Sequence, residues 1–579
     1  MDILFLNLHR RYINVEPTHG GFLGIYLLAA FVRREGFDAK SFSGTLERGL
    51  SIVNDLCSAR ATSMIGLYCD FENVTENIFL SRHIRETYNL PVIVGGPQAT
   101  ALDENFFMQS KCNAVVRYEG ELTVLELMNF FLDEVGALEN IRGIAYPTVD
   151  GLKINPERPL IKNLDALPFI DEDCFLEPHH FYRGLNIMTG RGCPFRCAFC
   201  HEGTHTRTVR FRSIDNVLAE VDFYVEHWRR ARSEGGGFYL FFTDDTLTLN
   251  PERVRRLCEG LAARRKIFDF NWFCEGHVHT MYQHPEIIEY LADGGCHRIQ
   301  LGIEAGTDKV LKAYGKQSTP DEIVEVVRRC RDAGIEQIYG NIILGGAHFT
   351  REIFEADKNF AMRLLEEGQG TVELGAVTYW PLPETPMTRR PSEFGIKICD
   401  AEFLTSVGDF PQTETDRLDR LEIVRMQSEF VTSINQKMEE MLRDWRVPTE
   451  RIVGWLKQAR RRSATQGAWL VKLRQLPIVH AYYEMLSLDE ARSSTATENF
   501  SASHPIRVAA LYRHLHSIDG RTVEICGERF DRAELDVIML TTGKLSVEEI
   551  AARVNLPLER VTNILLRLER KHFIAFAPH

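Results

Sequence analysis

Gly192-Cys193-Pro194-Phe195-Arg196-Cys197-Ala198-Phe199-Cys200 places three thiols at spacings of three and two intervening residues, directly after the apolar run Leu185 to Thr189. A tight loop with this spacing converges three sulfurs on one soft metal centre, and a missing fourth ligand leaves one iron of a four-iron cluster open to a small molecule. The same residues admit a zinc site completed by His201 or His205. The other cysteines mostly stand singly in apolar surroundings, as Cys57, Cys258 and Cys330 do, and read as inert core thiols. With thirteen cysteines, an odd number, and an N-terminus Met1-Asp2-Ile3-Leu4-Phe5 that goes straight into a strand pattern without a basic n-region, a disulfide scaffold is not expected.

Downstream of the loop, short apolar runs alternate with helical patterns. Phe238 to Phe242, Phe268 to Cys274, Arg298 to Gly302, Gln337 to Leu344 and Val372 to Thr378 read as strands, with helices such as Ile214 to Arg230 and Pro320 to Ala333 between them. With Leu185 to Thr189 they make about six βα units, a partial (β/α)6 TIM-type barrel over 181–388, whose site lies at the C-terminal strand ends. Upstream, Ile3 to Leu8, Met64 to Tyr68, Val92 to Val94 and Ala114 to Val116 alternate with helices at Leu23 to Arg34 and Val74 to Tyr88. That is a doubly wound, Rossmann-like α/β domain over 1–140. Residues 141–180, proline-rich and acidic at Asp171-Glu172-Asp173, read as a linker with a short hairpin. From Met387 to Pro391 onward strand signals stop. The region 389–579 reads as mainly helical, ending in a winged-helix-like unit at about 503–579.

The 579 residues carry a formal charge of -13, which disfavours non-specific binding to nucleic acid or anionic lipid. Arg560, Arg567, Arg570 and Lys571 in the winged-helix pattern are diluted by Glu548, Glu549, Glu559 and Glu569. No run approaches the length of a membrane span, so a cytoplasmic protein without a membrane or nucleic-acid partner is expected.

The cysteine loop, with Thr243-Asp244-Asp245-Thr246, Leu301-Gly302-Ile303-Glu304-Ala305-Gly306 and Ile343-Leu344-Gly345-Gly346 at later strand ends, resembles the radical S-adenosylmethionine (radical SAM) enzymes. The resemblance implies that Cys193, Cys197 and Cys200 hold a 4Fe-4S cluster whose open iron chelates S-adenosylmethionine, and that electron transfer into the sulfonium releases a 5′-deoxyadenosyl radical. It further implies that Gly345 and Gly346 allow close approach of the amino-acid part, that Asp245 and Glu304 accept from its ribose or ammonium, and that Phe199 lies against adenine.

Val94-Gly95-Gly96-Pro97-Gln98-Ala99-Thr100 and Arg117-Tyr118-Glu119-Gly120-Glu121 resemble the two loops that hold the cofactor in the cobalamin-binding domain of one large radical SAM subgroup. Gly95, Gly96, Pro97, Gln98, Thr100, Glu119 and Gly120 are then the expected cobalamin contacts. The Asp-x-His-x-x-Gly run of mutases and methionine synthase is absent. Tyr68 and the loop Cys69-Asp70-Phe71-Glu72-Asn73 are the candidates for the lower face of cobalt. In the barrel, Glu275 and His277 end one strand, Tyr379 and Trp380 follow another, and Glu275 and Tyr379 are the expected catalytic side chains. The resemblance implies a methyltransferase carrying a methyl group from methylcobalamin to a carbon of a natural-product intermediate, amino acid or peptide. Tryptophan C2-methyltransferases share the three-part layout. Ring contraction, cyclisation or another rearrangement is the alternative within the subgroup, and a cobalamin or iron-sulfur DNA-binding sensor the alternative outside it. An external electron donor of flavodoxin or ferredoxin type is implied as partner, and the winged unit suits substrate presentation.

Overall fold

Ile3–His9 (β1) buries Ile3, Leu4, Phe5, Leu6 and Leu8, so both of its faces are covered, as in the middle of a parallel sheet. It lies between Ala39–Thr45 (β2) and Met64–Tyr68 (β3), parallel to both. Val92–Gly95 (β4) and Ala114–Val116 (β5) extend the parallel sheet. Helices Leu23–Arg34, Leu46–Ser58, Val74–Tyr88 and Glu121–Asp133 connect or follow these strands. One layer of the core joins Leu4, Leu6, Leu67, Val92 and Val94 to Val53, Leu80 and Ile84.

The computed structural model describes residues 1–9, 23–71, 73–183, 185–201, 207–230, 238–399, 411–461, 467–476, 479–480, 483, 505–507, 515–517, 522–525, 528–570 and 573–576. Glu72, His205 and Lys571, singled out in the sequence, lie outside them. The chain divides into two compact units, Met1–Thr432 and Ser433–His579.

The stretch 141–180 does contain a hairpin, Ile144–Thr148 (β6) and Gly151–Ile154 (β7). It joins the first sheet antiparallel through β5, so the sheet has the order β2-β1-β3-β4-β5-β6-β7 and reaches past residue 140. Ala145 and Tyr146 bury their side chains there, which gives the hairpin a reason to dock.

Leu185–Ile187 (β8) opens the second sheet, and the short ribbon of Gly190–Arg191 (β9) and Arg210–Phe211 (β10) brackets the cysteine loop. Phe238–Phe242 (β11), Phe270–Gly276 (β12), Cys296–Leu301 (β13), Gln337–Leu344 (β14) and Val372–Thr378 (β15) follow. All six strands are parallel, in the order β15-β14-β13-β12-β11-β8, an open (β/α)6 barrel. The two sheet faces differ in burial. Leu240, Phe242, Trp272, Cys274, Ile299, Leu301 and Ile338 pack under the helices and are fully buried, whereas Phe241, Thr243, Phe273, Glu275, Arg298, Gln300, Tyr339 and Asn341 on the concave face are half-buried. Helix Pro320–Asp332 starts on a complete capping box of Thr319 and Glu322, and fits the expected Pro320 to Ala333.

In the second unit, the described residues form helices Thr449–Arg461, Ala468–Arg474, Arg532–Leu540, Val547–Val554 and Leu558–Arg570. Leu515–Ser517, Thr522–Ile525 and Glu528–Asp531 form an antiparallel sheet, and Ile574–Phe576 pairs with Pro505–Arg507. Val537, Ile538, Ile550, Val561, Leu565 and Phe573 are buried in it.

Candidate active site between the first sheet and the barrel

The cysteine loop is pinned from both sides. Ala198 N–H donates to the Tyr314 carbonyl at 2.8 Å, Met387 N–H donates to the Ala198 carbonyl at 3.1 Å, and Gly192 turns the chain into the loop at φ +92°. Gly315 has no room for a side chain, because a Cβ would stand 2.8 Å from the Arg196 carbonyl oxygen. Cys193, Cys197 and Cys200 are not in disulfides and are half-buried. Burial pushes Cys193 up to about 11 and Cys197 upward too, while the ammonium of Lys316 pulls both the other way.

Lys316 is the positive pole of this centre. It pairs with Glu304 at 3.0 Å, and its Nζ stands 5.7 Å from the Phe199 ring. Burial by itself lowers an ammonium, but Glu304 and then Cys197 outweigh it and hold Lys316 above its usual range. Gly302 leaves room beside it, since a side chain there would meet Nζ and push it from its place. Glu304 sits at φ +63°, with its backbone N–H on the Asn341 carbonyl and its carbonyl accepting from Ile343 N–H.

Glu275 accepts from Gln300 Nε2 at 3.2 Å, and burial followed by the Glu304 charge pushes it up to about 7. His277 caps helix Val278–Gln283, stacks on Phe195 of the cysteine loop at 3.6 Å between centroids, and is driven down to about 3 by burial and then Lys316. It is a neutral brace for the loop. Asp244 accepts from the Thr189 backbone and hydroxyl at 2.9 and 2.7 Å, and burial raises it to about 6. It fixes the segment leading into the loop, and Asp245 faces the cavity.

A cavity of about 700 Å³ lies between the two sheets. Tyr68, Gly95, Gly96, Pro97, Thr100, Glu119 and Gly120 line it from the first sheet, and Asn186, Arg191, Gly192, His201, Phe241, Thr243 and Asp245 from the barrel. The C-terminal ends of β3, β4 and β5 thus face the same space as the edge of the cysteine loop. Gly96 has φ +115° and a Cβ there would lie 2.5 Å from the Cys69 carbonyl oxygen, so only glycine lets the two loops nest. Thr100 Oγ1 is buried at the cavity wall without a hydrogen-bond partner.

Other candidates are placed elsewhere. Cys69 is fully buried in the core of the first sheet, Gln98 is 3% exposed, and neither lines the cavity. Asp70 is held by the turn its backbone N–H makes to Asn73 Oδ1. The space beside Gly346 belongs to the Tyr314 hydroxyl, and a Cβ on Gly345 would meet Ile423 at 3.1 Å, so their small size serves packing partners. Tyr379 is 3% exposed and its hydroxyl lies 3.4 Å from Thr388 Oγ1; burial pushes it up to about 12. Phe199 packs edge-on against Tyr314 at 5.1 Å. Glu119 lines the cavity and is also a structural ion: Arg191 at 3.1 Å and Arg210 at 2.7 Å hold it, Arg191 reaches Glu121 at 2.5 Å, and these arginines keep Glu119 below its ordinary range against its burial.

Lys316 and the apolar wall of Leu23, Ile25, Leu27, Leu28, Val116 and Val124 were not singled out in the sequence. Leu23 to Leu28 read there as part of the helix Leu23 to Arg34, and nothing local to Lys316 announces its burial.

A family model described as the radical SAM superfamily matches residues 187–361. An uncharacterized methyltransferase of Pyrococcus horikoshii is 30% identical over 361 residues, which are 60% of this chain and 75% of that protein. Among solved structures, the radical SAM methyltransferase TsrM from Kitasatospora setae, with tryptophan substrate and a SAM analogue bound, matches 68% of this chain and 78% of its own at 18% identity and a TM-score of 0.57. The cobalamin-dependent SAM radical enzyme OxsB, with aqua-cobalamin and SAM bound, matches 98% and 79% at 17% identity and a TM-score of 0.60. The chain belongs to the radical SAM superfamily, whose cofactors are a 4Fe-4S cluster and S-adenosylmethionine, and has the fold of its cobalamin-dependent members.

Proposed function

We propose that this chain is a cobalamin-dependent radical SAM methyltransferase that carries a methyl group to a carbon of a natural-product intermediate, an amino acid such as tryptophan, or a peptide residue. The observation that carries the reading is the single 700 Å³ cavity shared by the glycine-shaped strand ends of the first sheet and the rim of the cysteine loop. The residues fit both groups: the loop offers three half-buried thiols on a soft-metal spacing, and the first sheet offers a cradle closed to any Cβ at Gly96 and a hydroxyl, Thr100 Oγ1, short of a partner.

When bound, the cluster and adenosylmethionine supply one-electron chemistry, drawing on an external donor of flavodoxin or ferredoxin type, and cobalamin supplies the methyl group. Cys193, Cys197 and Cys200 would hold the cluster. Gly95, Gly96, Pro97, Thr100 and Gly120 would hold cobalamin by shape, with Tyr68 on the same cavity wall, and Glu304 and Asp245 would orient adenosylmethionine. Lys316 holds Glu304 in place through their ion pair. Glu275, raised to about 7, is in part ionised near neutral pH, and in that form it accepts the proton that the substrate carbon must lose. Leu23, Leu27 and Leu28 give the cavity an apolar side.

Anaerobic reconstitution with iron, sulfide and hydroxocobalamin tests the reading, with visible spectra and metal analysis of the wild type beside Cys197→Ala. A full cluster and one cobalamin per chain, with only the iron lost in the variant, is the expected result. Iron without cobalamin overturns the methyltransferase reading.

A further inference from the structure

The concave face of the barrel carries a row of planar groups. Phe241 stacks on Phe273 at 4.5 Å between centroids, and the Arg298 guanidinium carbon lies 5.6 Å from the Phe273 centroid and 4.8 Å from that of Tyr339. Strand register builds the row: Phe241 pairs with Phe273, Phe273 with Arg298, and Tyr339 stands beside Gln300 on the next strand. Because Phe241 lines the 700 Å³ cavity, the row begins there and runs into the barrel.

Arg298 is charged at any working pH and half-buried, yet among the described residues no carboxylate pairs with it and no oxygen accepts from it; its Nε is buried without a partner. The polar groups around it are turned to one another. Gln300 donates to Glu275, and the Tyr339 hydroxyl donates to Asn341 Oδ1 at 2.9 Å. Other buried arginines of the barrel are satisfied: Arg212 by Glu220 and the Met188 carbonyl, Arg253 by the Thr189 carbonyl. A guanidinium flanked by ring faces, with its edge short of acceptors, is built to receive a planar oxyanion in bidentate fashion.

We propose that Arg298 anchors the substrate through an oxyanion, a carboxylate or a phosphate ester, with the substrate's planar part laid along Phe241 and Phe273. This rests on the reading of the cavity as a substrate site. It excludes a neutral substrate and the interior residue of a peptide without an acidic group beside it.

The test uses the reconstituted protein and three probes, benzoate, phenyl phosphate and neutral benzamide, titrated by calorimetry into wild type, Arg298→Met and Arg298→Lys. One of the two anions binds the wild type about tenfold or more tighter than benzamide, the scale of a charged hydrogen-bonded pair, and the tighter anion names the oxyanion. Arg298→Met levels the three probes, and Arg298→Lys, with charge but no fork, keeps an intermediate preference. Equal binding of all three by the wild type, or a preference that survives in Arg298→Met, overturns the proposal. Should Arg298→Met not fold by circular dichroism, Arg298→Lys decides: an undiminished preference overturns it. Iron and cobalamin content of the same samples separates the two readings. Full loading without anion preference removes this inference alone, and failed loading with the preference intact removes the methyltransferase reading alone.

Discussion

The two walls of the cavity are built on opposite principles. The first-sheet wall is made of glycines and aliphatic side chains, with Gly66, Gly95, Gly96 and Gly120 set among Leu23, Leu27, Leu28 and Val116. Its acids, Glu119 and Glu121, are held by Arg191 and Arg210. Such a wall recognises by shape and contact area, through many small dispersion terms. On the barrel side Asp245 lines the cavity, and Glu275, Glu304 and Lys316 gather beside the cysteine loop, where low dielectric magnifies each charge and every ion needs its partner. The first can grip a large cofactor by shape, whereas the second can hold a proton on Glu275 near neutral pH because burial and the Glu304 charge raise it.

The largest effect that separates the walls is expected from Lys316→Met. Lys316 and Glu304 are 9% and 14% exposed at the side chain, and removing one partner of a buried pair leaves the other ion uncompensated, at a cost of about 3–5 kcal/mol. Urea unfolding should show that loss, while cobalamin uptake by the folded fraction stays at the wild-type level. Equal damage to cobalamin uptake would break the distinction between the walls.

How far sequence reading reaches differs in the same way. Strands β3 and β5 and helices Leu23–Arg34 and Val74–Tyr88 end where apolar periodicity puts them, because each is covered on the face its pattern declares. Strand β2 was invisible: Ala39-Lys40-Ser41-Phe42-Ser43-Gly44-Thr45 has little strand character and is held by tertiary bonds, Ser41 Oγ donating to the Ile25 carbonyl and Asn7 Nδ2 to Ser43 Oγ. Strands β12 and β13 sit two residues from their expected starts, and the register slips between Trp272 and Phe273, a bulge no periodicity announces. The thiol spacing and Gly96 are local and were legible. The partners that decide Gly345, Gly346 and Glu304, namely Ile423, Tyr314 and Lys316, come from other helices and loops, so the electrostatics of the barrel side became readable only with the fold.

A smaller effect sharpens the contrast through pH. Glu275 is raised from about 4.5 to about 7, first by burial and then by Glu304. A carboxyl raised on folding binds its proton more tightly in the native state, so its stabilising share is complete below about 4.5 and is lost as pH climbs through about 7, by roughly 3 kcal/mol at most. Urea unfolding between pH 4.5 and 8 should therefore show the wild type losing stability relative to Glu275→Gln by up to that amount. A constant difference would mean that Glu275 is ionised throughout and handles no proton.

The smallest expected effect belongs to the first-sheet wall and has the opposite sign for stability. Thr100 Oγ1 is buried with no acceptor or donor, so the folded chain carries the desolvation cost of a hydroxyl without its return. Valine has nearly the same volume and no such debt, and Thr100→Val should leave unfolding in urea unchanged or raise it by up to about 1 kcal/mol. Cobalamin affinity, measured by absorbance titration, should fall about fivefold, the worth of one hydrogen bond of about 1 kcal/mol. Iron content should not move. A hydroxyl whose removal steadies the empty protein and weakens only one cofactor is held in place for that cofactor; if affinity stays level, the first wall grips by shape alone and the contrast with the barrel becomes complete.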